Sequence, residues 1–248
     1  MLTQMTHESH HPQYLYAILL LSSAFVPGVM SRLLVIGGAI TTYLYTVHLK
    51  PKTWIKNISC AALVAMSPIT SGLATWHVML LRESTAANAA FPSIPFALIF
   101  KSPLSYLVLS LFAGIMSREI LMDITDCDGD ARAGIETVPV KFGKEMASSV
   151  AMVCSLVSAA AACGESFVNW VPICIARLMS VSSGADMATL PTMSSLGVRK
   201  LVLSVIGSGY LAQKTYAVFR TKGDDVVLAE KAVRGGLVGV LFVLASFL

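Results

Sequence analysis

The 248-residue chain is 55% hydrophobic and only 13% charged, whereas an average soluble domain is roughly a quarter charged and under half apolar. That balance excludes an ordinary soluble domain and points to an integral membrane protein. The net charge of +4 resides in short loops between apolar stretches, where membrane orientation and lipid headgroups account for it, which argues against nucleic acid as a partner.

The opening MLTQMTHESHH lacks the basic region of a signal peptide and reads as a polar terminus, with His7, His10 and His11 solvated. A bilayer-spanning helix needs about 20 apolar residues. Segments near that length are 13–31, 33–49, 58–81, a stretch ending near Ser117 that Lys101 interrupts, 146–164, 198–216 and 235–248, and a further one at 167–183 contains Pro172 and Arg177. The predicted fold is one all-α integral membrane domain over residues 1–248, a bundle of seven or eight transmembrane helices.

The first two spans form a predicted hairpin, so the loop HLKPKTWIKN and the segment 118–144 share one face. Lys50, Lys52, Lys56, Arg118, Arg132, Lys141 and Lys144 make that face cytoplasmic, or its organellar equivalent. Lys214, Arg220, Lys222, Lys231 and Arg234 also belong there, which requires 167–183 to be re-entrant or fused with its neighbour. The five cysteines form no C-x-x-C pair, and four of them lie in apolar segments as small core hydrophobes.

Chemistry concentrates in one place. Five of the chain's 14 carboxylates, Glu119, Asp123, Asp126, Asp128 and Asp130, fall within 12 residues of the stretch REILMDITDCDGDARAGIETVPVKFG. On a helix continuing from the preceding span, Glu119, Asp123, Asp126 and Asp130 stand at i, i+4, i+7 and i+11 and share a face. Stacked like charges repel unless a cation sits among them or the face is simply solvated. Carboxylates without histidine or thiolate partners favour a hard cation, and Mg²⁺ takes one or two of them and completes its sphere with water and substrate phosphate. The fragment Asp126-Cys127-Asp128-Gly129 only superficially resembles a calcium loop, because the required glutamate and loop length are missing. Lys50 and its neighbours, with Arg118 or Arg132, are candidates to hold the diphosphate oxygens that a metal does not reach. A charged head over a bundle of apolar helices suits an isoprenyl diphosphate.

DITDCDGDARAGIETVPVKFG resembles the second aspartate-rich motif of the UbiA-type membrane prenyltransferases. The matching positions are Asp123, Asp126, Gly129 and Asp130, then Gly134, Thr137, Pro139, Val140 and Gly143. YLYTVHLKPKTWIKN resembles the family's Tyr-x-x-x-Leu-Lys loop and the Lys-Asn that follows it, which places Tyr45, Lys50 and Asn57. The resemblance implies a helical bundle in which Asp123, Asp126 and Asp130 bind Mg²⁺ and the donor diphosphate, assisted by Lys50, Tyr45, Arg118, Arg132 and Asn57. It also implies transfer of the isoprenyl group to a lipid-soluble or aromatic acceptor, with Tyr43, Tyr45 and Tyr106 as candidates to stabilise an allylic carbocation.

Two features depart from the family. Its first motif, Asn-x-x-x-Asp-x-x-x-Asp, is absent: Asn57, Asn88 and Asn169 are followed at i+4 by Ala61, Pro92 and Ile173. The chain is therefore expected to lack the family's first two helices. Met122 stands where many members carry lysine. The alternative expectation is a non-catalytic paralogue that keeps the fold and binds a prenyl lipid or a partner subunit. An ion transporter would need acid within the spans, which the sequence almost entirely lacks.

Overall fold

The computed structural model describes residues 17–18, 20–45, 53–84, 103–183 and 195–247. After a 3₁₀ turn at Ser23–Phe25, the helices are α1 (Val29–Leu44), α2 (Thr53–Ser84), α3 (Pro103–Arg132), α4 (Val138–Phe142), α5 (Lys144–Ser183), α6 (Ser195–Arg220) and α7 (Val226–Phe247). Two stretches, Trp54–Met79 of α2 and Lys144–Ile173 of α5, are long and apolar enough to cross a membrane by length and composition.

The first residues of the first predicted span, 13–31, lie outside the described residues, and its far boundary is corrected. Arg32 is not a turn between two spans but part of α1. The backbone breaks earlier, at Val26-Pro27-Gly28, where Gly28 adopts φ +85°. A side chain there would be strained, and proline ahead of it cannot extend a helix. Arg32 Nε donates to the Val26 carbonyl at 2.7 Å, so the charge that looked like an interruption satisfies a carbonyl exposed by the break. The segment 167–183 is fused with its neighbour: α5 runs through Pro172 without interruption.

Helix α3 lies centrally, in contact with α2, α4, α5 and α7. Ile115, Met116, Ile120, Leu121 and Ile124 on its C-terminal half pack against Ala61 of α2, Val138 of α4, Ala147 and Ala151 of α5, Val218 of α6, and Ala229 and Ala232 of α7. Small residues on the surrounding helices leave room for the branched side chains of α3, the arrangement that lets helices approach closely in lipid. Ser110 Oγ donates to the Ser158 carbonyl at 3.0 Å and Ser158 Oγ returns a bond to the Ser110 carbonyl at 2.8 Å, which fixes α3 against α5.

One end of the bundle is organised by capping. The Ile135 N–H donates to the Asp130 carbonyl and the Gly134 N–H to the Ala131 carbonyl, with Gly134 at φ +70°, so α3 ends in a Schellman motif. Thr137 precedes α4 and Pro139 lies in its first turn. At the same end, Asp225 Oδ1 accepts from the Leu228 N–H at 3.0 Å and caps α7. Lys222 pairs with Glu145 at 3.1 Å, which joins the α6–α7 turn to the start of α5.

Candidate functional site

Because α3 continues unbroken to Arg132, the acidic residues keep their helical register, but their surroundings differ by position. Glu119 is buried and accepts from Arg118 Nη1 at 3.1 Å. Asp123 is 1% exposed. Asp126 is exposed and Asp130 half-buried. Asp128, on the outer side, is exposed and pairs with Lys144 at 3.6 Å.

Both oxygens of Asp123 are engaged. Lys56 Nζ donates to Oδ1 at 2.5 Å and Asn57 Nδ2 to Oδ2 at 2.8 Å. These donors are adjacent residues in the first two turns of α2, and an edge-to-face contact between Trp54 and Phe142, with ring centroids 5.8 Å apart, sets that end of α2 against α4. Asn57 is completely buried, and its Oδ1 has no hydrogen-bond partner among the described residues.

Asp130 lies in the same electrostatic neighbourhood. Burial pushes its carboxyl above the ordinary carboxylate range; Lys56 opposes that shift, and Asp123 and Asp126 add to it. Tyr45, half-buried at the end of α1, is within electrostatic reach of Glu119, Lys56 and Asp123. The structure thus gathers Tyr45, Asn57, Asp123 and Asp130 of the sequence-derived set. Arg132 is exposed, and its Nε donates to the Asp128 carbonyl at 3.0 Å in the last turn of its own helix. Arg118 is held by Glu119, with its Nε buried and without a partner among the described residues. Lys50 lies outside the described residues. Tyr106 stands 17 residues before Asp123 on α3, about 25 Å along the axis, and its ring lies against Gly164. Tyr43 is exposed.

From sequence, Lys56 was one of several basic loop residues and the lysine of the Lys-Asn pair, with no role of its own. The signal that could have singled it out is its placement next to Asn57, three residues after the helix start at Thr53 and just ahead of an apolar run.

Among the described residues, no three His, Cys, Asp or Glu side chains converge closely enough to hold a metal ion by themselves. A hard cation here would share two carboxylates with substrate oxygens and water, a common arrangement for Mg²⁺.

The UbiA prenyltransferase family profile matches residues 13–192. Among curated relatives, digeranylgeranylglyceryl phosphate synthase of Pyrococcus abyssi is 26% identical over 185 residues, which cover 71% of this chain and 57% of that protein. The enzyme of the same name from Thermococcus gammatolerans is 30% identical over 149 residues, 57% of this chain and 46% of that protein. The chain thus spans about half the length of these relatives. A solved structure concerning digeranylgeranylglyceryl phosphate synthase in membranes superposes with a TM-score of 0.62 at 18% identity, covering 96% of this chain and 66% of that one, and so shares the helical membrane fold. On the match over residues 13–192, the chain belongs to the UbiA prenyltransferase family.

Proposed function

We propose that the protein transfers an isoprenyl group from an isoprenyl diphosphate to a lipid acceptor at the membrane, and that Asp126 and Asp130 are its metal-binding carboxylates. The observation that carries this reading is the unbroken helix α3, which brings Asp126 and Asp130 to the polar end of the bundle directly above the apolar core around Ile120 and Ile124. A charged head and a hydrocarbon tail are thereby offered different surroundings on one helix. The names of the relatives favour a geranylgeranyl donor and a glyceryl phosphate lipid as acceptor.

The donor set fits Mg²⁺. Asp126 and Asp130 offer hard oxygens with exposed or half-buried surroundings, and the carboxyl of Asp130 is pushed up chiefly by burial, a cost that a bound cation would offset. Bound there, Mg²⁺ would neutralise charge on the departing diphosphate. The chain's own groups then orient the diphosphate at the polar end while the apolar helices keep water from the allylic carbon. The allylic C–O bond breaks with its electron pair leaving on diphosphate, and the acceptor hydroxyl forms the new C–O bond and loses its proton.

The test is turnover by the purified chain in lipid nanodiscs, with Mg²⁺, geranylgeranyl diphosphate and a panel of glycerol-phosphate and aromatic acceptors, read by mass spectrometry of the product. We expect an alkylated glycerol-phosphate lipid from the natural sequence. Asp126→Asn and Asp130→Asn should each lower the rate at least about a hundredfold, the scale of losing a group that stabilises transition-state charge. Full activity in both variants would overturn the site, and no product from folded protein with any acceptor would overturn the reaction.

A further inference from the structure

The carboxylate most deeply placed in the acidic segment is the one least suited to a metal. Asp123 is 1% exposed, and each of its oxygens already accepts a hydrogen bond, from Lys56 at 2.5 Å and from Asn57 at 2.8 Å. A cation would have to displace an ammonium from a buried carboxylate, which removes a charge-assisted hydrogen bond and leaves a lysine to be resolvated. The Asn57 amide is oriented by the same carboxylate: a flip would set its oxygen against the acceptor-only Asp123, and the observed arrangement persists although it leaves Asn57 Oδ1 buried and unbonded among the described residues.

Lys56 is in the opposite position. Of its three N–H donors, one goes to Asp123 among the described residues. Its side chain is 18% exposed, so the ammonium lies at the boundary between the buried carboxylate and the polar end of the bundle. It acts electrostatically on Asp130, one of the two carboxylates assigned to the metal. A lysine pinned at one donor, with two others that pair with nothing among the described residues, is a preorganised point cation for phosphate oxygens.

We propose that Asp123 is the positioning residue of a buried Lys56–Asp123–Asn57 clasp, and that Lys56, not Asp123, meets the substrate by donating to its diphosphate oxygens. This rests on the prenyl-transfer reading and refines it: the metal is held by Asp126 and Asp130, while Asp123 fixes the cation that binds what the metal leaves uncovered.

Two binding readouts without turnover test the assignment: Mn²⁺ binding by electron paramagnetic resonance and Mg²⁺-dependent inorganic pyrophosphate binding by calorimetry, both on the full chain in nanodiscs. Asp123→Asn should keep Mn²⁺ affinity within about twofold of the natural sequence, while Asp126→Asn and Asp130→Asn each lose about tenfold or more. Lys56→Gln combined with Asp123→Asn replaces the ion pair by neutral groups of similar size, and so keeps the test valid if a single change unfolds the protein. That double variant should bind Mn²⁺ normally and pyrophosphate about tenfold or more weakly, the scale of one lost charge-assisted hydrogen bond. Lys56→Arg should recover part of the pyrophosphate affinity. The proposal is overturned if Asp123→Asn, still helical, costs as much Mn²⁺ affinity as Asp126→Asn, or if the double variant binds pyrophosphate like the natural sequence. It is confirmed against a merely structural role by the split between the two ligands. If the natural sequence binds neither ion, the prenyl-transfer reading itself falls, and the clasp's function with it.

Discussion

Asp123 and Asp130 stand seven residues apart on α3, yet one is sealed inside the bundle with its charge matched and the other is half-exposed beside further acid. Their environments, not their spacing, separate their roles. A buried ion pair adds little net stability when intact, but removing one partner strands the other, typically at 3 to 5 kcal/mol. Lys56→Met should therefore destabilise the protein by about 3 kcal/mol, seen as a lower midpoint of thermal unfolding in nanodiscs. Adding Asp123→Asn should recover most of that loss, because the stranded charge is gone. An additive double variant would show that the two side chains do not act as a pair. The acidic residues were legible in the sequence because helical spacing alone places them along α3. The clasp was not: its partners are 67 and 66 residues apart, and a lysine near a membrane boundary reads as a determinant of orientation until its partner is seen.

At the scale of elements, the motif after Asp130 is backbone engineering more than chemistry. Gly134 closes α3, Thr137 and Pro139 begin α4, and Gly143 separates α4 from α5. The sequence showed these residues as a pattern, and the Schellman bonds give the pattern its physical reason. The boundary between the first two predicted spans was misplaced because charge was taken as the marker: the break falls at Pro27-Gly28, and the guanidinium of Arg32 is consumed by the carbonyl of Val26. Gly207 and Gly209, two residues apart on α6, have different surroundings. A Cβ on Gly207 would lie 2.7 Å from the Gly239 carbonyl oxygen and 2.8 Å from the Val243 nitrogen, both backbone atoms of α7, while one on Gly209 meets nothing within 4 Å among the described residues. Gly207→Ala should thus force α6 and α7 apart and cost about 1 to 3 kcal/mol. Gly209→Ala should be neutral or raise stability by up to about 1 kcal/mol through helix propensity. Thermal unfolding of the two variants side by side checks this, and equal destabilisation would remove Gly207 as the contact point.

For the whole molecule, the contacts at the polar end constrain topology more tightly than hydropathy does. Lys144 pairs with Asp128, Lys222 with Glu145, and Trp54 packs on Phe142. The start of α2, the end of α3, all of α4, the start of α5 and the turn from α6 to α7 therefore lie at one end. Helix α5 with its 40 residues must then run away from that end and α6 return to it, which is why a separate span at 167–183 is not needed. The same end carries Arg132, Lys141, Lys144, Arg220, Lys222 and Lys231, and an excess of lysine and arginine in short loops marks the side that is not translocated. Single cysteines placed at Asp128 and Asp224 should therefore react with a membrane-impermeant maleimide from the cytoplasmic or organelle-equivalent side alone, and one at Ser84, at the far end of α2, from the opposite side alone. The experiment is run in sealed vesicles of known orientation, on a chain whose native cysteines are replaced by serine or alanine. Labelling of Asp128 and Asp224 positions from opposite sides would break the one-ended arrangement itself. Labelling of both from the translocated side would keep the arrangement and reverse the orientation, placing the proposed diphosphate site where the donor would have to be supplied from outside.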